Sequence, residues 1–282
     1  FYGAINLKDL IVARGYTDLD SLISHSYPYV RDHESITDCI EQLKDYAEDS
    51  IPVLDDDNKL LGVITAQDIV EVVDDEMGDD YAKLAGMTEE ADLEESLPES
   101  IKKRLPWLVV LLGLSLCVST VTGLFENVIS HLAIIVSFQS LILGMSGNVG
   151  TQSLAVTIRV LMDEDLSGRQ KWELIFKEAR IGFCNGLMLG LLAFAFIGTY
   201  VYVLKGRPLQ YAFSVSACAG VALMLAMTIS SVVGTVVPMF FHKVKVDPAV
   251  ASGPLISTVN DFVAVVTYYG LAWVLLIHVL HL

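Results

Sequence analysis

Residues 209–241 read LQYAFSVSACAGVALMLAMTISSVVGTVVPMFF, a run without one Asp, Glu, Lys or Arg. Wound as a helix, it exceeds the ~20 residues that cross a ~30 Å hydrocarbon layer. The pattern recurs on both sides. Charge-free stretches also cover 105–125, 131–158 and 181–204, and a fifth, 248–282, is interrupted only by Asp261. The spacing predicts five membrane-spanning helices, several of them long enough to tilt or bend.

The charges lie elsewhere. The formal net charge is -16 although 53% of residues are hydrophobic. Residues 1–100 carry 26 Asp and Glu against 6 Lys and Arg, whereas residues 101–282 carry 8 against 12. An acidic soluble part is joined to a membrane part. No clustered basic face is available to phosphates, which excludes nucleic acid as a partner. Cys39, Cys117, Cys184 and Cys218 show no short spacing, and three lie in apolar runs, so neither a disulfide framework nor a zinc site is indicated. No basic n-region or cleavage site follows Phe1, so the chain is expected to open inside a folded unit rather than at a signal peptide.

Orientation follows from the basic residues. Lys102, Lys103 and Arg104 precede the first span. Arg159, Arg169, Lys171, Lys177 and Arg180 separate the second from the third, and Lys243 and Lys245 the fourth from the fifth. The opposite side receives only Lys205 and Arg207. The acidic part is therefore expected in the cytoplasm and the C-terminus outside, with the chain in the cell (inner or plasma) membrane.

Within the acidic part, Gly3-Ala4-Ile5-Asn6-Leu7-Lys8-Asp9-Leu10-Ile11 repeats as Gly62-Val63-Ile64-Thr65-Ala66-Gln67-Asp68-Ile69-Val70. Each copy reads as a short apolar strand leading into a helix with Asp at its start. Between them, 36–46 has helical spacing, 51–54 reads as a strand, and Asp55-Asp56-Asp57-Asn58-Lys59 is a turn. The run from Pro52-Val53-Leu54-Asp55 to Leu61-Gly62-Val63-Ile64-Thr65 and Asp68 resembles a CBS domain. On the following helix, Asp68, Glu71, Asp75 and Asp79 share one face at spacings of three and four, where like charges repel. Divalent cations would relieve that repulsion, and hard oxygen ligands suit Mg²⁺ or Ca²⁺.

Asp261 is the informative residue of the membrane part. A carboxylate near mid-helix costs ~2.5–3.5 kcal/mol on insertion scales and signals an ion pathway or a polar interior. The run Gly144-Met145-Ser146-Gly147-Asn148-Val149-Gly150-Thr151-Gln152 in the second span reads to a depth similar to that of Asp261. Such polar, glycine-rich backbone lines a cavity or packs helices closely. The fifth span opens Asp247-Pro248-Ala249-Val250-Ala251-Ser252-Gly253-Pro254, and its prolines are expected to free carbonyls in mid-helix beside Ser257, Asn260 and Asp261.

These two runs resemble the pore segments of MgtE-type magnesium channels, and the order of CBS domain, linker and five spans is similar to that family throughout. The resemblance implies a multi-span α-helical membrane domain of five transmembrane helices, preceded by a small α/β CBS-type cytoplasmic domain and a linking amphipathic helix. The implied domains are 1–14 (tail of a first CBS copy), 15–86 (second copy and acidic helix), 87–104 (plug-type linker helix, with helical patterning over 89–103) and 105–282 (pore). It further implies a homodimer in lipid, with Asp261 of both copies holding Mg²⁺ and Gly147, Asn148, Thr151, Ser257 and Asn260 completing the pore site. A cytoplasmic Mg²⁺ sensor falls on Asp68, Glu71, Glu76, Asp79 and Asp247. Thr151 and the Ser230-Ser231 pair stand where family members commonly have Asn.

The functional expectation is Mg²⁺ uptake driven by membrane potential and closed by cytoplasmic Mg²⁺. An alternative is a divalent-cation transporter coupled to H⁺ or Na⁺. In CBS domains an element like Thr65-Ala66-Gln67-Asp68 meets an adenosine ribose, so ATP is a candidate ligand of the full-length protein. No Gly-x-x-x-x-Gly-Lys-(Ser/Thr) loop, His-Glu-x-x-His or Gly-x-Ser-x-Gly element is present, and the chain is not read as an enzyme. Trp107, Trp172 and Tyr211 read as interfacial anchors, as do His278 and His281. Glu126 lies just outside span one, and Arg180 marks the start of span three.

Overall fold

The computed structural model describes residues 1–34, 39, 50–91, 93–163 and 166–280, with positions 66, 76, 162 and 163 described by backbone alone. The expected helix over 36–46 lies outside these residues except at Cys39. The chain divides into two compact units, Phe1–Gly78 and Asp79–Leu282.

In the first unit, α1 (Leu7–Val12) opens after Asn6, whose side chain accepts a hydrogen bond from the Lys8 amide. The strand expected before it is reduced to a bridge between Ala4 and Ser24. One sheet has the order β1 (Val30–Arg31), β2 (Ser50–Leu54), β3 (Leu60–Thr65). β1 runs parallel to β2, with Val30 opposite Val53, and β2–β3 is an antiparallel hairpin with Ile51 opposite Ile64. The turn forms because Asn58 takes φ 61°, which Asn tolerates, while Asp55 Oδ1 accepts the Lys59 amide at 2.8 Å. Val30 and Ile51 are buried and carry Cys39, Val53, Ile64 and Ile69 around them.

α2 (Ala66–Leu84) follows β3 and crosses the boundary between the units. The amide and hydroxyl of Thr65 donate to Asp68 Oδ2 at 2.8 and 2.7 Å, and the Asp68 amide donates to Thr65 Oγ1 at 3.3 Å. This reciprocal cap satisfies backbone donors that the first helical turn leaves open. The bonds hold the Asp68 carboxyl below its usual value. The cap's contribution is therefore present above about pH 4 and is lost as pH falls through the depressed value.

In the second unit, α3 (Leu97–Leu124) begins eight residues later than the expected linker helix, and most of 85–96 is not helical. The reason is local. The Ser96 amide and hydroxyl donate to Glu99 Oε2 at 3.0 and 2.6 Å, and Pro98 occupies the first turn, which together fix the helix start there. Lys103 reaches back to the Glu90 carbonyl and the Glu95 carboxylate, and its own carbonyl accepts from the Thr88 amide. The segment before α3 is thus laid along the helix.

The remaining helices are α4 (Glu126–His131), α5 (Val136–Asp163), α6 (Gly168–Thr199), α7 (Leu209–Lys243) and α8 (Gly253–Leu271). α6 and α8 end in wider π-helical turns, Tyr200–Leu204 and Ala272–Val279. Among the described residues five helices are long and apolar enough to cross a membrane: Leu97–Leu124, Ala133–Leu161, Gly168–Leu204, Leu209–Lys243 and Gly253–Val279.

α7 packs against α5, α6 and α8, and its inner face is made of small residues. A Cβ on Gly182 of α6 would lie 2.6 Å from Ser231 Cβ, and one on Gly190 would lie 2.6 Å from the Gly220 carbonyl oxygen. Between α5 and α7, a Cβ on Gly234 would meet the Gly150 carbonyl oxygen at 2.2 Å. Small residues let backbones approach where lipid offers no hydrophobic drive between helices. Gly234→Ala cannot be absorbed by a side-chain rotation, because backbone stands in the way. It is expected to cost about 1–3 kcal/mol or more, read as a lowered thermal midpoint of the reconstituted protein. α3, by contrast, buries none of its residues and packs mainly on α8.

Candidate cation site

Asp261 projects from α8 into a cavity of about 380 Å³. Its other polar liners are Ser115, Ser119 and Thr122 of α3 and Gln139 of α5. No Lys or Arg lines the cavity among the described residues, and the Asp261 carboxylate has no hydrogen-bond or ion-pair partner among them. Gln139 is held in place because its Oε1 accepts the Tyr269 hydroxyl at 2.6 Å. A lone carboxylate facing hydroxyl and amide oxygens is the donor set of a hard cation that keeps its water.

α5 and α8 run antiparallel. A Cβ on Gly147 would touch Ser257 Oγ at 3.5 Å, and one on Gly253 would touch Thr151 Cγ2 at 3.7 Å. This register sets Asp261 opposite Leu143, which lines the same cavity. Asn148 lies five residues further along α5, about 7 Å by helical rise. Asn148 and Asp261, expected at roughly similar depths, are thus staggered by about that distance. α5 also runs unbroken through 144–152, so the Gly147 carbonyl belongs to the helix ladder. Asn148 is exposed on the surface of the single chain, and the Thr151 hydroxyl turns back to the Asn148 carbonyl at 2.9 Å.

Asn260 is fully buried, with both amide atoms lacking partners. It lies against Gly150, where a Cβ would sit 1.7 Å from its Nδ2. The Gly150 position is thus close helix packing, not an open wall. The prolines of the fifth span are also placed differently from expectation. Pro248 begins a 3-10 turn, Pro248–Val250, and Pro254 falls in the first turn of α8 behind the Ser252 cap. Neither breaks a helix interior, because a proline at a first turn removes an amide that has no partner there anyway.

A second constellation surrounds Asp247. Its Oδ2 accepts Lys83 Nζ at 2.8 Å and its Oδ1 accepts the Ala249 amide at 2.8 Å. Lys83 also stands 3.7 Å from Asp80. The hydrogen bond to Asp247 is the main cause that raises the Lys83 ammonium above its usual value. This pair is therefore fully present below about pH 10 and lost as pH rises through the raised value. Nearby, Trp107 Nε1 donates to Ser252 Oγ at 2.8 Å, and Gly86, at φ 82°, leaves room for the indole. Trp107 thus has a specific partner beyond its anchoring position.

The other sensor positions each have their own local partners or surroundings. Asp68 caps α2, Glu71 is exposed, Asp79 accepts the Glu90 amide at 3.2 Å, and the side chain of Glu76 lies outside the described set. Among the described residues no group of three or more His, Cys, Asp or Glu gathers at metal-binding distance. In the first unit a cavity of about 320 Å³ is lined by Arg31, Asp32, Glu34 and Asp68 among apolar residues. Thr65 is not in its lining.

Several residues of these sites escape sequence reading. Ser115, Ser119, Thr122 and Gln139 are uncharged polar residues scattered through apolar runs, and only the helix pairing joins them to Asp261. Lys83 lies 164 positions from Asp247. Glu178 sits in a charged flank, yet it is buried on the α6 stripe that continues through Gly182, Gly186 and Gly190; that four-residue spacing was the available signal.

Comparison with known proteins places the two parts. The model of the MgtE family, described as a divalent cation transporter, matches residues 139–271, and the CBS-domain model matches residues 19–75. The chain is 35% identical over 270 residues to a protein of Enterococcus faecalis named magnesium transporter MgtE, covering 96% of this chain and 57% of that one. Proteins of the same name are 33% identical in Bacillus subtilis and 31% identical in Thermus thermophilus, over 96% and 97% of this chain and 58% and 59% of theirs. The chain thus spans somewhat more than half the length of these relatives. The family-matched region contains Asp261, Gln139 and the whole 144–152 run, and by these matches the chain belongs to the MgtE family of divalent cation transporters, carrying its membrane domain behind a CBS domain.

Proposed function

We propose that this chain forms, with a second copy, a Mg²⁺ uptake pathway driven by membrane potential and closed by cytoplasmic Mg²⁺. The observation that carries the reading is Asp261, a carboxylate without a protein partner in a cavity of oxygen donors inside the membrane part. The magnesium-transporter names of the relatives supply the cation.

Mg²⁺ demands octahedral oxygen coordination and sheds water reluctantly. Two Asp261 carboxylates related by a twofold axis hold a hydrated ion through its water and create a negative potential that favours a divalent over a monovalent cation. The exposure of Asn148 and of most of α3 in the single chain supports a second copy as the missing wall. A potential of 100 mV contributes ~2.3 kcal/mol per charge, hence ~4.6 kcal/mol for a divalent cation moving inward. Liposomes given an imposed potential but no H⁺ or Na⁺ gradient are expected to take up Mg²⁺. Uptake only when such a gradient is added would replace the channel by a coupled transporter.

Closure is proposed to act through the acidic residues, with the soluble part cytoplasmic and the C-terminus outside. Cytoplasmic Mg²⁺ would bind Asp68, Glu71, Glu76, Asp79 and Asp247 across chains and favour the compact state over the self-repelling one. Lys83 then competes for Asp247. Lys83→Gln removes that competitor, and a unit charge beside a carboxylate is worth ~1 kcal/mol even in high dielectric. Half-inhibition of flux is expected at about 5-fold lower Mg²⁺. An unchanged or higher half-inhibiting concentration contradicts a role for Asp247 as a sensor ligand. The cavity bearing Asp68 supports a nucleotide as a further ligand of the CBS domain, which calorimetry with ATP on the full-length protein tests.

A further inference from the structure

Glu178 lies where α6 passes α5 and α7, and it is 4% exposed. Three contacts join it to two serines. Ser153 Oγ is 2.9 Å from Glu178 Oε2, Ser153 Oγ is 2.7 Å from Ser231 Oγ, and Ser231 Oγ is 2.8 Å from the Glu178 carbonyl oxygen. Every atom in this ring of contacts is an oxygen, and each contact at such a distance needs one proton between its partners. Two hydroxyls supply two protons. With an ionised Glu178, one of the three oxygen pairs faces lone pair to lone pair, inside a seam where Gly182 stands too close to Ser231 for even a methyl group.

We infer that Glu178 binds a proton here and, as a neutral acid, locks α6 to α5 and α7. The chain then closes head to tail: the acid hydroxyl donates to Ser153, Ser153 donates to Ser231, and Ser231 donates to the Glu178 carbonyl. No cation offers an alternative. Lys177 and Arg180 on α6 and Arg159 on α5 are exposed, His242 and Lys243 stand at the far end of α7, and none of them pairs with Glu178 among the described residues. Without that proton one of the three contacts has no hydrogen to share, which loosens α6 from the helices that carry the 144–152 run and Ser230. The site is independent of the cargo assigned above.

Infrared spectroscopy of the chain in liposomes at neutral pH reads this directly. The wild type is expected to show the carbonyl stretch of a protonated, hydrogen-bonded carboxylic acid that Glu178→Gln loses. Ser153→Ala removes the oxygen that accepts the acid proton and is expected to shift the same band to higher frequency, which keeps the test open should Glu178→Gln fail to fold. Loss of a carboxylate band instead of an acid band in Glu178→Gln, or a wild-type acid band unmoved by Ser153→Ala, overturns the inference.

Discussion

Asp261→Asn is expected to reduce Mg²⁺ uptake into liposomes at least about 30-fold while leaving the protein folded. The amide matches the carboxylate in size, and Asp261 has no hydrogen bond or ion pair among the described residues to lose, so the substitution removes charge and little else. What remains around the ion is Ser115, Ser119, Thr122 and Gln139, whose neutral oxygens cannot attract a divalent cation from water. Losing one charged partner of a desolvated pair costs ~2–5 kcal/mol, and ~2 kcal/mol already corresponds to about 30-fold. Normal uptake by this variant would remove Asp261 from the pathway.

Neutralising Asp68 and Asp79 to Asn together with Glu71 and Glu76 to Gln is expected to keep the transporter open, raising the half-inhibiting cytoplasmic Mg²⁺ about 10-fold or abolishing inhibition. Residues 1–100 hold 26 acidic side chains against 6 basic ones, and pairing two such parts concentrates like charge that only cations relieve. A coupling of ~1.4 kcal/mol between cation binding and closure produces that tenfold shift. Asn at 68 retains an oxygen that accepts the Thr65 amide, so the start of α2 stays capped and the effect reports on charge. Inhibition unchanged from wild type would contradict the sensor.

Much of this architecture is legible in the chain because membrane helices are a matter of length and composition. The four charge-free runs and the fifth, interrupted by Asp261, all coincide with helices long enough to span. The acidic hairpin around Asn58 is legible in its turn residues, and the Ser96-Leu97-Pro98-Glu99 start of α3 carries a capping pattern that competes with the amphipathic pattern of 89–103. What the sequence conceals is which small or polar residue meets which. Gly150 reads equally as cavity wall or packing surface, and only the approach of Asn260 decides for packing. Lys177 and Arg180 bracket Glu178 in the sequence, yet helical geometry turns those two outward and Glu178 inward.

Mn²⁺ substituted for Mg²⁺ in crystals of the assembled protein, located by anomalous scattering, tests the cation site most directly. The account predicts a peak on the twofold axis between two Asp261 carboxylates, within reach of them through its water shell. A membrane part whose Mn²⁺ peak lies elsewhere, with Asp261 turned away from the axis, would contradict it.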